Sequence, residues 1–104
     1  MAKSSAQQAW GEFAPKFAQL TDEVLFKDIW DRKELSKRDR SLATVAALVA
    51  LNRTDQLRFH LQRALENGVK KQELIEEITH LAFYSGWPTA VNALGVAKEV
   101  FAKS

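Results

Sequence analysis

The segment Leu42-Ala-Thr-Val-Ala-Ala-Leu-Val-Ala-Leu51 carries no charged residue and a single hydroxyl. It is about half the length of a bilayer crossing, so it reads as the body of a helix that other protein must cover on every side. A chain of 104 residues can scarcely meet that demand from within, because small domains bury a limited share of their surface. Packing against a second copy of the chain is the economical solution. The small residues Ala90, Ala93, Gly95 and Ala97 point the same way by permitting close backbone approach. Gly95 alone costs about 1 kcal/mol relative to Ala in a helix interior.

Composition narrows the function classes. With 46% hydrophobic and 27% charged residues the sequence reads as one globular domain over residues 1–104. A formal net charge of +2 is too small to supply the one-signed field that nucleic acid attracts, so no nucleic-acid partner is expected. The absence of Cys closes thiolate, zinc-thiolate and dithiol redox chemistry. Met1 to Gln8 lacks the apolar run of a signal peptide, and no stretch is long enough to span a membrane; a soluble, cytoplasmic protein without a membrane partner is expected.

Helical punctuation recurs along the chain, and strand signals are missing, which predicts an all-α fold of five to six helices. Trp10, Phe13, Phe17 and Leu20 fall at helical spacing, with Pro15 starting a second piece or kinking the first. Thr21 and Asp22 are suited to cap a helix carrying Val24 to Trp30. Ser36 with Asp39 resembles a capping box for a helix running to about Leu51, with Asn52 as its stop. Thr54 caps the next helix, which ends at Asn67-Gly68. Gln72 to about Tyr84 forms another, closed by Ser85-Gly86, and a last helix begins near Pro88 and continues to about Ala102.

The Gln72–Tyr84 helix concentrates the chemistry. Leu74, Ile75, Ile78, Leu81 and Ala82 share an apolar face, while Glu76, His80 and Tyr84 follow at i, i+4 and i+8 on another, flanked by Glu73, Glu77 and Phe83. A Glu and a His at that spacing make an acid/base pair in outline; the plainer alternative is a surface ion pair beside two interface aromatics. His60 borders the Leu57, Leu61, Ala64 stripe and is either an interior histidine or a second proton-exchanging group. Arg40 and Arg58 are suited to anchor an anionic substrate, and Trp87 in the Gly86-Trp87-Pro88 junction either walls a pocket or plugs the core. His60, Glu76 and His80 show no metal signature, so no metal is expected.

Several segments together resemble the carboxymuconolactone decarboxylase family: Leu35 to Leu42, Asp55 to His60, Ala64 to Val69, Glu73-Leu-Ile-Glu76, and Tyr84-Ser-Gly-Trp-Pro-Thr-Ala-Val-Asn-Ala-Leu94. The resemblance covers about Phe13 to the C-terminus, and its specificity lies in the order and spacing, with Tyr-x-Gly-x-Pro after Glu-Leu-x-Glu. It implies an alkylhydroperoxidase-D-like all-α fold assembling as a homotrimer or homohexamer. One branch of the family is a thiol peroxidase using Cys-x-x-Cys, a His and an upstream Glu. Aligned on His60, its other three groups fall on Arg53, Gln56 and Ser41, which disfavours that activity here. The other branch decarboxylates a carboxylated unsaturated lactone to 4-oxoadipate enol lactone without a cofactor. For this chain it implies a small carboxylated substrate, proton exchange by His60, Glu76 and His80, anchoring by Arg40 or Arg58, and walls from Tyr84 and Trp87. The alternative from a different class is a non-catalytic oligomer that binds a small acid or serves as an accessory subunit.

Overall fold

The computed structural model describes residues 3–104, and its described residues form helices joined by turns, without a strand. By their internal contacts they form two compact units, one ending at Ser36 and the other spanning Lys37–Ser104.

In the first unit, α1 (Ser5–Trp10) is opened by Ser4, whose Oγ accepts from the Gln7 N–H at 3.0 Å and donates to Asp22 at 2.7 Å. Pro15 begins α2 (Pro15–Leu20), as its locked φ favours. The Trp10 ring meets Phe13 and Phe17 at centroid distances of 6.4 and 6.3 Å. Thr21 and Asp22 do not cap a new helix. The chain runs on from α2 into a nine-residue π-helix, Thr21–Ile29, and the Thr21 hydroxyl donates to the Phe17 carbonyl at 2.8 Å. A hydroxyl bonded back into the preceding turn is a feature of a continuing helix, whereas a cap must accept from the turn ahead.

The second unit is a four-helix arrangement: α3 (Lys37–Ala50), α4 (Thr54–Glu66), α5 (Lys71–Ser85) and α6 (Trp87–Ala102). Asn52 turns the chain after α3 with φ 58°, and its side chain accepts from Asn92 on α6 at 3.0 Å. Thr54 is the first residue of α4, one position inside the expected cap. α5 starts one residue earlier than its spacing suggests, because the Glu73 carboxylate accepts from the Lys70 N–H at 2.9 Å and supports the first turn.

Ser41, Val45 and Val49, at i, i+4 and i+8 of α3, are 0%, 0% and 1% exposed, and the two valines pack in one cluster with Leu57, Leu61, Leu74 and Ile78. Within the Lys37–Ser104 unit α3 is not closed all round, since Ala43, Ala47 and Ala50 stay exposed. Ala90, Ala93 and Ala97 of α6 are buried in this same core, so their small size serves packing within the chain. Ile75 leaves the apolar face assigned to it and sits in an open groove with Leu94, Lys98, Phe101 and Ala102. No helix among the described residues is long and apolar enough to cross a membrane.

A single residue joins α5 to α6. Gly86 adopts φ 111° and ψ 143°, a conformation open essentially to glycine alone. Gly86→Ala is expected to lower stability by about 1–3 kcal/mol. Gly95→Ala is expected to raise it by up to about 1 kcal/mol, because a Cβ there meets nothing within 4 Å of the chain. Urea denaturation of both variants checks this pair. A loss of stability in Gly95→Ala would mean that another backbone approaches α6 at that point.

Candidate functional site

At about 100° per residue, Glu73, Glu77, His80 and Tyr84 fall in one sector about 60° wide on α5, with Glu76 at its edge. Leu74 and Ile78 turn into the core on the adjoining sector. The row therefore runs along the border between core and solvent. His80 lies against Tyr84 with ring centroids 4.8 Å apart, and Phe83 meets Trp87 edge-on at 6.1 Å. Phe83, Tyr84 and Trp87 are 76%, 78% and 64% exposed, so these rings form an open aromatic surface at the α5–α6 joint instead of a core plug. Ser85 and Thr89 brace the joint, donating to the carbonyls of Leu81 and Gly86 at 2.9 and 2.8 Å.

The carboxyls of the row differ in environment. Glu73 accepts from the Lys70 N–H and pairs with Arg38 of α3, and these two partners, in that order, hold its carboxyl below the ordinary range. Glu76 is exposed. Glu77 is half-buried, its Oε1 is sealed from solvent with no hydrogen-bond partner, and desolvation pushes its pKa up to about 7. Sequence reasoning placed Glu77 only as a flank of the Glu76–His80 pair. The available signal was its position between Leu74 at i−3 and Leu81 at i+4, both of which pack into the core.

The remaining candidates lie on α3 and α4. Arg40 is half-buried on α3, where its carbonyl accepts from Thr44 at 2.8 Å. Arg58 pairs with Glu99 of α6 in a shallow groove of about 190 Å³ shared with Gln62, Val100 and Lys103. His60 is half-buried, edge-on to Phe59 at 5.0 Å; burial, followed by the nearby Arg63 charge, lowers its pKa and favours the neutral imidazole. α4 and α5 each pack on α3 and α6, which also touch one another. Within one chain, then, His60 and the Glu76–His80 pair stand on helices with α3 and α6 between them. The structure brings His80 to Tyr84 and Arg58 to Glu99. Among the described residues no three His, Asp or Glu side chains are grouped to hold a metal ion.

Residues 15–99 match the model of the carboxymuconolactone decarboxylase family. The chain is 40% identical to 4-carboxymuconolactone decarboxylase of Acinetobacter baylyi over 86% of its own length and 67% of the relative's. It is 30% identical to nitrosuccinic acid decarboxylase of Metarhizium robertsii, covering 78% of this chain and 57% of that one. An uncharacterized 15.0 kDa protein of Paracoccus denitrificans is also 30% identical, over 78% of this chain and 62% of its own. The chain thus spans roughly six-tenths of the length of the curated relatives it matches. The motif order along α3 to α6, the helical fold and the match over residues 15–99 together make this chain a member of the carboxymuconolactone decarboxylase family.

Proposed function

We propose that this protein is a cofactor-free decarboxylase of small polycarboxylic acids, working by acid and base catalysis on the α5 row. The observation that carries the reading is the row itself, in which titratable side chains border the core beside an open aromatic surface. The two named decarboxylases among its relatives support it. Their substrates share one chemical property. When CO₂ leaves carboxymuconolactone or nitrosuccinic acid, the electron pair passes into an unsaturated carbonyl system or a nitro group already present in the molecule. The protein then has to hold the remaining carboxylate and manage a proton. Arg40 is the anchor, Glu76 and His80 exchange protons with solvent, and Tyr84 and Trp87 wall the substrate. Arg58, the alternative anchor, is paired with Glu99.

The assembly is part of the proposal. The open flank of α3 at Ala43, Ala47 and Ala50 and the exposed rings of Phe83, Tyr84 and Trp87 are the surfaces that copies would cover in a homotrimer or homohexamer. A second reading, a non-catalytic oligomer binding a small acid, is favoured by the openness of the row in one chain; it would be established by binding of these acids without CO₂ release.

Two measurements test the reading. CO₂ release from 4-carboxymuconolactone and nitrosuccinic acid is expected for at least one of them, with His80→Gln lowering kcat by about 10²-fold. Absence of release from both would overturn it. Size-exclusion chromatography with light scattering is expected to give a particle of three or six chains. A mass near the 11.7 kDa of one chain at micromolar concentration would remove the assembly.

A further inference from the structure

Glu77 is the carboxyl of α5 whose surroundings are least explained by packing alone. An Oε1 atom sealed from water with no donor is an expensive arrangement for a carboxylate, and retaining the proton relieves it. Neighbouring charge does not compensate. On α3, Arg38 is taken by Glu73, one turn earlier on α5; Arg40 exerts no pull on the Glu77 carboxyl, whose shift comes from desolvation; and from Ser41 to Leu51 that helix carries no charged residue. On α6, Glu99 pairs with Arg58, and Lys98 lines the groove beside Ile75, on another side of α5 from Glu77. On α5 itself the titratable neighbours are Glu73, Glu76 and His80. With His80 three residues on and Tyr84 in the same sector, Glu77 stands where the core meets the open aromatic surface.

We propose that Glu77 is the acid that protonates the substrate carbon after CO₂ departs. The assignment rests on the decarboxylase reading and names its proton donor. The C–C bond to the carboxylate breaks, and its electron pair moves into the substrate's own acceptor. Carbon then takes the proton of the Glu77 carboxyl, which is left as a carboxylate and regains a proton from water, so the net change is one carboxylate and one proton giving CO₂ and a C–H bond. Glu77 suits this step better than Glu76 because it stands half-buried at the core border with one carboxyl oxygen sealed from water, whereas Glu76 is exposed.

The test uses wild type, Glu77→Gln and Glu77→Asp with 4-carboxymuconolactone and nitrosuccinic acid as probes. Glu77→Gln is expected to lower kcat by about 10²-fold with KM changed little, Glu77→Asp to recover part of it, and the fall of wild-type kcat above about pH 7 to disappear in Glu77→Gln. An active wild type matched by an equally active Glu77→Gln, with the same alkaline fall, would overturn the assignment while leaving the decarboxylase reading intact. A wild type inactive on both acids would take down that reading and this assignment with it. Urea denaturation gives a second readout that needs no turnover. Because the folded carboxyl binds its proton more tightly than the unfolded one, wild type is expected to lose stability relative to Glu77→Gln as pH rises from about 4.5 through 7. A stability difference independent of pH over that window would overturn the assignment.

Discussion

Withdrawal of the Ser41, Val45 and Val49 stripe from water is the interaction on which the Lys37–Ser104 unit depends. Each valine contributes on the order of 1.5–3 kcal/mol when fully buried, and α3 is the helix against which α4, α5 and α6 all pack. Ser41 is the polar member of the stripe, and its hydroxyl accepts from the Asn67 side chain at 3.0 Å. That bond offsets the cost of burying the oxygen and fixes the end of α4 against the start of α3. Arg38, one turn earlier, pairs with Glu73, so the first turns of α3 and α5 are held together at the same end of the bundle. The buried hydroxyl also accounts for a departure in sequence. A carboxylate at position 41 would need a stronger partner than the Asn67 amide; serine and asparagine satisfy each other.

The electrostatics of α5 follow from this packing. Glu73 and Glu77 are one helical turn apart, yet their carboxyls shift in opposite directions. Glu73 has a backbone N–H and a guanidinium before it, whereas Glu77 has leucines on both sides along the helix and an uncharged stretch of α3 beyond. A rotation of about 40° around the helix and a rise of about 6 Å separate a carboxyl that gives up its proton early from one that keeps a share of it up to about pH 7. Two acids of one type on one helix are thereby given different proton affinities by their neighbours alone.

Much of the fold was legible because its stops are chemically distinct. Asn52, Asn67-Gly68 and Gly86-Trp87-Pro88 end or begin helices through backbone conformations and missing donors that few other residues supply. The π-helix was not legible, since Thr21 and Asp22 look the same whether they cap a helix or bond back into one. Ile75 fits the apolar sector of α5 by angle, but the sector that α3 and α6 cover is narrower than the apolar one. Helical spacing alone was enough to set Glu76, His80 and Tyr84 in a row on α5, whereas the surroundings of those side chains were not legible. Arg58 looks available in sequence because its partner Glu99 lies 41 positions away, and Glu77 looks solvated because helical angle groups it with Glu73 and His80. Burial by another helix is a property of the tertiary structure, and no local pattern encodes it.

The one-residue joint at Gly86 has a mechanical meaning. Ser85 ends α5 and Trp87 begins α6, with hydroxyl bonds from Ser85 and Thr89 bracing the turn on both sides. A longer loop would absorb relative motion of the two helices, but this elbow has no slack. Any torque on α6, such as a neighbour pressing on the exposed Trp87 ring, is passed to the last turn of α5, where Phe83 touches that ring and Tyr84 lies against His80. The exposed Trp87 ring and the His80 imidazole are thus linked through one single-residue turn and two ring contacts.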